Sequence, residues 1–258
     1  MLAENKPSGQ WPLGPGVEIV KEGPAGLYAL SKPSGVRSQP KEGGKDAQAL
    51  FTCSYSLRDE AYHIPPDKGG GKVWLLHRLD GGTSGVILVA NEEQTAAEVK
   101  YAFAQHQVRK RYVAVVFGWP ERVNAVWKDR IEVIKEKGRV RARPGNGSWA
   151  EAVMKERGRG KGVAGAMSLL ELEPKTGGTH QLRIQCSQRN LPIVGDRTYG
   201  DFEKNRALAK STGQQGMFLH AERVKVPFRG NDWEASVAVP EGFRILLDNE
   251  KNSSISCP

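Results

Sequence analysis

Short apolar runs that stop at glycine or proline dominate the first half of the chain, and this pattern predicts strands. Residues 17–23 and 27–36 predict two strands that each end in a turn. Apolar runs at 73–76 and 85–90 predict two further strands, both buried. Residues 112–117 are apolar at both alternating sets of positions, so we predict a central strand covered on both faces.

Two helices are predicted among these strands. The first spans residues 46–58. The second spans residues 92–108, where Asn91 and Gln94, three residues apart, form a capping pair. Apolar residues at helical spacing form its core face, namely Ala96, Val99 and Phe103.

Charged residues and glycines crowd the segment from 121 to 165, which predicts strands joined by exposed loops. Two glycine-rich patches, at 144–148 and 157–165, mark the loops. The sequence RGRGKG in the second patch is expected to be the most mobile piece.

The remainder of the chain predicts a strand at 169–172 and a short helix over 180–189 with Thr179 as its N-cap. Strands at 218–228 and 233–239 follow. Because strands and helices are interspersed without a regular βαβ period, we predict an α+β fold rather than a doubly wound parallel sheet.

The net charge of the chain indicates a class of binding partner. The chain has 258 residues, with 38 Lys and Arg against 29 Asp and Glu, a formal net charge of +9. This excess favours a polyanionic partner, because each phosphate neutralised by Lys or Arg releases condensed counterions. A merely basic surface gives the same balance, since net charge governs steering and non-specific binding rather than chemistry.

Other sequence features exclude several classes of protein. No apolar run approaches the roughly 20 residues of a membrane-spanning helix, so no membrane partner is expected. Cys53, Cys186 and Cys257 lack the spacing that holds zinc, which predicts a reducing compartment and no metal. Residues 1–14 resemble neither a secretory signal nor a transit peptide. We predict a cytoplasmic location, with mitochondria or another organelle as the alternative for a processed chain.

The candidate chemistry centres on the segment HRLDGGTSG, residues 77–85, in which Asp80 occupies a glycine-rich turn between two buried strands. Glycine lets another backbone or a ligand approach closely, and an Asp at a strand end is held rigidly while remaining reachable. Asp-Gly is also a common turn pair, so these residues alone allow a second interpretation in which Asp80 only caps the turn.

HRLDGGTSG closely resembles the catalytic motif of the RluA-type RNA pseudouridine synthase family. Further segments resemble other motifs of that family, namely KPSG (Lys32–Gly35), KRY (Lys110–Tyr112), TGGTHQLR (Thr176–Arg183) and PIVGDRTYG (Pro192–Gly200). Ordered blocks are more specific than any one block alone. The resemblance covers about residues 17–245.

The resemblance implies a single α+β catalytic domain with a mixed, mostly antiparallel sheet and an RNA-binding cleft. We place this domain at residues 17–248, after an N-terminal extension over 1–16 and before a flexible tail over 249–258. Structured rRNA or tRNA is the implied partner, together with ribosomal assembly intermediates. No cofactor is implied, because the isomerisation is redox-neutral and the chain has no phosphate-binding loop motif.

The resemblance also implies roles for individual residues. Asp80 is the nucleophile or base, Tyr112 the aromatic residue beneath the target base, and Arg183 the cation that pairs with Asp80. An Arg partner favours the ionised carboxylate. The sequence leaves two routes open, covalent attack at C1′ or removal of a proton from C2′.

A second set of residues is predicted to contact RNA around this centre. It comprises His77, Arg78, Leu182, His180, Gln181 and Lys175. The chain departs from the family pattern at Gly178, where the family usually has Arg. We expect weaker or altered substrate contact there, with Lys175 as a compensating cation.

Two other functions compete with the enzyme hypothesis. A non-catalytic RNA-binding ribosome assembly factor would retain the fold as a scaffold, as Gly178 and the basic loops suggest. The intact set of Asp80, Tyr112 and Arg183 argues against it. A carboxylate glycosidase would need a second placed acid near Asp80, and the sequence marks none.

Overall fold

The computed structural model describes residues 11–136, 139–162 and 164–247. The chain divides into two units, one built from residues up to 108 and residues 223–237, the other from residues 109–222 and those from 238 onward. The chain therefore passes between the units three times along its length.

The first unit is built mainly of short strands. Its elements in chain order are β1 (Glu18–Glu22), β2 (Leu27–Lys32), β3 (Ser54–Ser56), β4 (Ala61–His63), β5 (Lys72–Leu75), β6 (Ser84–Ala90), α1 (Glu93–Ala104), the later part of β12 (Leu219–Phe228) and β13 (Asn231–Ser236). Single 3₁₀ turns occur at Pro24–Gly26 and Pro66–Lys68. The predicted strands beside the HRLDGGTSG segment are confirmed as β5 and β6.

Strand β6 lies at the centre of the first unit. It pairs antiparallel with both β2 and β5, and all its residues from Val86 to Ala90 are buried. Helix α1 packs against β5 and β6 and buries Ala96 and Val99 as predicted, whereas Phe103 is half-buried. The apolar run of β6 is thus explained by burial on both faces.

The helix predicted over 46–58 is wrong, because this segment forms bends followed by β3. Its backbone bonds to a distant segment: the Arg37 N–H donates to the Gln48 carbonyl at 2.7 Å, and the Leu50 N–H donates to the Arg37 carbonyl at 2.8 Å. The Arg37 guanidinium also makes two 2.6 Å bonds to the Asp46 carboxylate. These non-local bonds take the place of the i to i−4 bonds of a helix.

Helix α1 is shorter than the predicted span of 92–108. Glu92 occupies the N-cap position and makes no side-chain cap hydrogen bond, so the cap predicted at Asn91 was misplaced by one residue. The Gln94 side chain donates to the Glu98 carboxylate at 3.0 Å, one turn further along the helix.

The second unit has longer strands. Its elements are β7 (Arg109–Phe117), β8 (Asn124–Glu136), β9 (Arg139–Pro144), β10 (Ser148–Gly162), β11 (Gly165–Pro174), α2 (Gln181–Gln188), α3 (Phe202–Thr212), the first part of β12, and α4 (Gly242–Ile245). Antiparallel pairing joins β7 to β11, β11 to β10, β10 to β8 and β8 to β9.

Strand β7 is buried on both faces, which confirms the prediction made from its continuous apolar run. One face packs into a cluster that includes α2, and the other into a cluster that includes α3 and α4. The residues divide by alternation, with Ala114 and Val116 on the first face and Val113, Val115 and Phe117 on the second. This arrangement fixes the position of Tyr112 at the start of the buried run.

The glycine-rich patch at 157–165 is not the exposed loop that was predicted, because β10 continues to Gly162 in register with β11. A Cβ atom on Gly160 would lie 2.2 Å from the carbonyl oxygen of Leu247, so glycine here allows close approach of two backbones. Arg157 donates to the Glu171 carboxylate at 2.7 Å. At the other patch, 144–148, residues 145–147 form bends between β9 and β10, which agrees with the predicted loop.

Two helix boundaries in the second unit correct the sequence analysis. The N-cap of α2 is His180, in a left-handed conformation with φ 53°, rather than Thr179. Helix α3 was not predicted, although its signals are present: the Asp201 carboxylate accepts from the Lys204 N–H at 3.0 Å, and Gly213 ends the helix with φ 68°.

The named strand pairs of the described residues are antiparallel and the helices are few, which confirms a mixed α+β fold. The predicted cleft and the domain span of 17–248 stay predictions. Residues 1–10 of the predicted extension and the whole tail over 249–258 lie outside the described residues. None of the helices in the described ranges is long and apolar enough to cross a membrane.

Candidate active site

Asp80 lies in the loop between β5 and β6, in the first unit, and is half-buried. The carbonyl of Asp80 accepts a hydrogen bond from the Thr83 N–H at 3.0 Å, which closes a tight turn over the two intervening glycines. On the preceding side, the hydroxyl of Ser38 donates to the Leu79 carbonyl at 2.8 Å and accepts from the Leu79 N–H at 3.0 Å. The carboxylate therefore projects from a backbone that is held on both sides.

The KPSG segment holds the same loop from another direction. The Gly35 N–H donates to the Gly81 carbonyl at 2.7 Å, and the Ser34 hydroxyl donates to the Gly82 carbonyl at 2.7 Å. Gly35 has φ +93°, a conformation that favours glycine. Two motifs far apart in the sequence thus form one hydrogen-bonded assembly around Asp80.

Lys32 anchors this assembly from within the core. Its side chain is fully buried, and Nζ donates to the carbonyls of Val36 at 2.7 Å, Pro33 at 3.1 Å and Gly81 at 3.4 Å. Burial lowers the pKa of Lys32 to about 8, and the negative charge of Asp80 opposes that shift. At neutral pH the loop therefore has a buried ammonium beneath it.

His77 and Arg78 precede this turn and differ in exposure. The His77 ring stacks on Phe103 with centroids 4.9 Å apart, and its Nε2 accepts from the Leu88 N–H at 3.0 Å. Arg78 is exposed. The geometry favours a positioning role for His77 and leaves the Arg78 side chain accessible to solvent.

Tyr112 and Leu182 lie together in the second unit. Tyr112 pairs with Leu172 across β7 and β11, and its ring packs against the cluster that contains Leu182. Tyr112 is only partly buried. The Tyr112 ring is therefore supported by apolar side chains and remains partly accessible to solvent.

Arg183 forms a buried ion pair with Asp196. Its Nε donates to Asp196 Oδ2 at 2.7 Å and its Nη2 to Oδ1 at 2.8 Å, and the whole residue is 8% exposed. Burial acts to raise the pKa of Asp196, but hydrogen bonds from Arg183 and from the Thr198 and Tyr199 N–H groups outweigh it and hold that pKa below its usual value. The pairing of Arg183 with Asp80 implied by the resemblance stays a prediction.

Gln181 holds the turn that leads into α2. Its Oε1 accepts from the Thr176 hydroxyl at 2.7 Å and the Gly178 N–H at 3.0 Å, and its Nε2 donates to the Glu151 carbonyl at 3.0 Å. Gln181 is 4% exposed. This geometry favours a structural role, and RNA contact by Gln181 stays a prediction.

Lys110 of the KRY segment supports the same turn. Its Nζ donates to the Thr176 carbonyl at 2.9 Å, and burial lowers the pKa of Lys110 to about 8. Gly178 and Lys175 are exposed on the outside of this turn, with Lys175 Nζ 3.4 Å from Glu173 Oε2. Gly178 has no positive φ, and a Cβ there would meet Gln181 Oε1 at an ordinary 3.5 Å.

His180 and Tyr199 complete the arrangement around Arg183. The Tyr199 hydroxyl hydrogen-bonds His180 Nδ1 at 2.9 Å and accepts from the Ala142 N–H at 2.8 Å. The Arg183 guanidinium lies over the Tyr199 ring, 5.0 Å from its centroid. A single tyrosine therefore connects the start of α2 with β9.

Sequence analysis did not assign roles to several residues that the structure makes important. These are Lys32, Lys110, Asp196 and Tyr199. The signal was present, because each lies inside a segment that resembles a family motif. No cluster of three or more His, Cys, Asp or Glu suited to a metal ion occurs in the described part of the chain.

We expect the substitution Asp196→Asn to lower the free energy of unfolding by about 3–5 kcal/mol, because the buried Arg183 guanidinium would lose its bidentate bond to the Asp196 carboxylate. Urea denaturation followed by tryptophan fluorescence measures this change. Asp232→Asn, which removes an exposed partner of Lys225, is the matched control and should lower the free energy of unfolding by only about 0.5 kcal/mol. Equal effects of the two substitutions would contradict this assignment.

The Asp196 contribution also has a defined pH dependence. Because the folded-state pKa of Asp196 is depressed, its stabilisation is complete above the unfolded pKa and is lost as pH falls through the folded pKa. The stability difference between wild type and Asp196→Asn should therefore shrink below about pH 4.

We expect Lys32 to make stability rise with pH. The folded state releases the Lys32 proton near pH 8, whereas the unfolded state keeps it to about 10.5, so the unfolded state binds more protons in between. Between pH 7 and pH 10, the free energy of unfolding of wild type should rise by about 2–3 kcal/mol relative to that of Lys32→Met. Denaturation of both proteins across this range measures the gain, and parallel pH profiles would exclude it.

Comparison with known proteins agrees with the family resemblance of the sequence motifs. Residues 26–188 match the model of the RNA pseudouridylate synthase family. The tRNA pseudouridine synthase C of Vibrio cholerae is 35% identical over 207 residues, 77% of this chain and 81% of that protein. The tRNA pseudouridine synthase C of Salmonella typhimurium is 32% identical over 264 residues, 91% of this chain and 94% of that protein.

Solved structures show the same fold. Human RNA Pseudouridylate Synthase Domain Containing 1 aligns with a TM-score of 0.64 and 23% identity over 90% of this chain and 86% of its own. Human RNA Pseudouridylate Synthase Domain Containing 4 aligns with a TM-score of 0.65 and 22% identity over 90% of this chain and 92% of its own. Asp80, Tyr112 and Arg183 all fall inside the segment matched by the family model. The chain belongs to the RNA pseudouridylate synthase family.

Proposed function

We propose that this protein converts uridine to pseudouridine in tRNA, with Asp80 as the catalytic carboxylate. The observation that carries the proposal is the support of the Asp80 loop. Hydrogen bonds from Lys32, Ser34 and Gly35 hold this loop in place, while Asp80 itself is only half-buried. Rigid support of an accessible acid is what a reaction at one sugar carbon requires.

The reaction breaks the bond between N1 of uracil and C1′ of ribose, turns the base, and joins C5 to C1′. The C5 proton leaves and N1 gains a proton, so the product is an isomer of the substrate. Asp80 takes part either by attacking C1′ or by removing a proton from C2′. In both routes the carboxylate acts in its ionised form.

We assign Tyr112 to the target base. Its partly exposed ring at the start of a buried strand offers a surface on which a flipped uracil stacks, and its hydroxyl is suited to remove the C5 proton. Leu182, in the same cluster, forms an apolar wall beside that ring. Arg183 is proposed to stabilise the ionised Asp80, with Asp196 orienting its guanidinium.

The residues predicted to contact RNA divide into two groups. Arg78 and Lys175 are exposed cations, so we propose that they contact phosphate or base. His77, His180 and Gln181 make hydrogen bonds within the protein, and we propose that they position the loops that carry the reacting groups.

The choice of tRNA rests on the names of the relatives from Vibrio cholerae and Salmonella typhimurium. Those relatives are bacterial, which supports a cytoplasmic location for this chain. We leave ribosomal assembly intermediates, which the sequence analysis also predicted, outside the proposal. A non-catalytic RNA-binding scaffold remains the second candidate function, because Gly178 replaces the Arg of the family pattern.

We expect Asp80→Asn to abolish pseudouridine formation and to leave tRNA affinity within about twofold of wild type, because the amide keeps the shape of the side chain without its nucleophilicity. Carbodiimide mapping of tRNA from cells lacking the gene, incubated with each purified protein, measures activity and target together. Asp67→Asn, an exposed acid in the same unit, should retain full activity. Conversion by Asp80→Asn near the wild-type rate would refute the assignment.

We expect Gly178→Arg to tighten tRNA binding by about 1 kcal/mol, because the added guanidinium gains a charge-assisted hydrogen bond to phosphate or base. Fluorescence anisotropy with labelled tRNA measures the affinity. Gly158→Arg adds the same charge where a new Cβ meets no atom within 4 Å, and it should change affinity less. If wild type is inactive and Gly178→Arg forms pseudouridine, the result favours a non-catalytic scaffold over an enzyme as the function of the wild-type protein.

A further inference from the structure

A cavity of about 390 Å³ opens on the surface of the second unit between β9 and α2. Its volume falls within the range of roughly 300–1,000 Å³ that small-molecule sites occupy in proteins. Asp80, Tyr112 and Arg183 are not among its lining residues. The cavity is therefore distinct from the groups assigned to the reaction above.

The lining of the cavity combines cationic, polar and apolar groups. Arg141 and Arg143 of β9 contribute the positive charge. Ile184 on α2 supplies apolar surface, and Ser187 and Gln188 on the same helix supply hydrogen-bonding groups. Both arginines are exposed, whereas Ile184 is buried. The charge thus lies near solvent above an apolar floor.

We propose that this cavity binds one nucleotide of the RNA substrate other than the target uridine, with its phosphate at Arg141 and Arg143 and its base against the apolar floor. The inference rests on the proposed function and adds a second RNA-binding site to it. Arginine matches the geometry of phosphate oxygens, and an unstacked base is recognised by contact of its face with protein side chains.

Arg141 is the principal phosphate ligand in this proposal. Arg141 is exposed, and no hydrogen bond or ion pair joins its side chain to another side chain that the structure describes, so the guanidinium is accessible to an anion. Arg143 differs, because its Nε lies 3.1 Å from Glu132 Oε2. That pair is exposed and therefore weak, so Arg143 can share its charge between the carboxylate and a phosphate.

Tyr199 connects the cavity with Arg183. It lines the cavity, its ring lies under the Arg183 guanidinium at 5.0 Å, and its hydroxyl accepts from the backbone N–H of Ala142 on β9. A nucleotide in the cavity would contact a residue that also touches Arg183. In this proposal, Tyr199 is the side chain that connects a nucleotide in the cavity with Arg183.

RNA fits this cavity better than an acidic peptide. A peptide carboxylate would use the arginines alone, whereas a nucleotide also uses the apolar floor and the amide of Gln188. The net charge of +9 and the membership of the family favour RNA as well.

The test measures binding of labelled tRNA from cells lacking the gene to the full-length protein over a range of salt concentrations. We expect Arg141→Ala to raise the Kd about tenfold and to reduce the slope of log K against log salt by about one, as for loss of one phosphate contact. Arg122→Ala is the matched control. Arg122 is exposed and lies two residues before β8, whose first residue, Asn124, is roughly 33 Å along the strand from Ile134 at the cavity. Its loss should change the Kd less than twofold.

A second variant, Ser187→Trp, fills the cavity without removing charge. It should raise the Kd by a similar factor, and the double variant with Arg141→Ala should bind no more weakly than either single variant, because both remove the same contact. Circular dichroism and thermal melting establish that each variant is folded. Additive effects of the two changes, or an effect of Arg141→Ala equal to that of Arg122→Ala, would overturn the proposal.

The remaining outcomes separate the cavity from the catalytic proposal. If wild type forms no pseudouridine in any tRNA, the proposed function fails, while the binding measurements still decide the role of the cavity. If Arg141→Ala leaves tRNA affinity unchanged but loses binding to a polyglutamate peptide, the cavity belongs to an acidic protein partner and the nucleotide assignment is wrong.

Discussion

Two lysines that donate to backbone carbonyls, Lys32 in the core and the partly buried Lys110, hold both loops on which the proposed chemistry depends. Lys32 reaches Gly81 beside the candidate catalytic acid, and Lys110 reaches Thr176 at the turn before α2. A carbonyl in an irregular loop has no regular partner, and a lysine ammonium can supply one. Lys32 donates to three such carbonyls and Lys110 to one. The loops can thus combine irregular backbone with fixed geometry, which accounts for lysine in both segments.

The strands were predicted where the pattern of apolar residues reflected local burial. Strands β6 and β7 were found from their continuous apolar runs, because burial on both faces leaves that signature. The segment over 46–58 could not be predicted, since its conformation depends on bonds to Arg37. Gly160 was wrongly placed in an exposed loop for a similar reason. The backbone of Leu247 approaches this glycine closely, and the local sequence pattern does not show that contact.

The motifs identified candidate site residues, but they did not show which residues bond to one another. Asp80 and Arg183 were selected as candidates because they stand in segments that resemble family motifs, and their roles stay predictions. The bidentate bond between Arg183 and Asp196 was not predicted, since hydrogen-bond pairing across 13 residues depends on how α2 meets the following loop. Gln181 illustrates the same limit, because sequence shows a polar residue and only the structure shows that its amide is bonded inside the protein.

The path of the chain between the two units constrains how the protein is made. Strand β13 and the later part of β12 belong to the first unit, yet they follow the whole span of 109–222 in sequence. The Nζ of Lys21 in β1 donates to the carbonyl of Glu234 in β13 at 2.6 Å, so the earliest strand contacts the last one. During synthesis from the N-terminus the first unit therefore cannot finish folding until residue 237 has left the ribosome. The loop of Asp80 is translated early but belongs to a unit completed late, so a truncated chain would carry the motif on an unfinished unit.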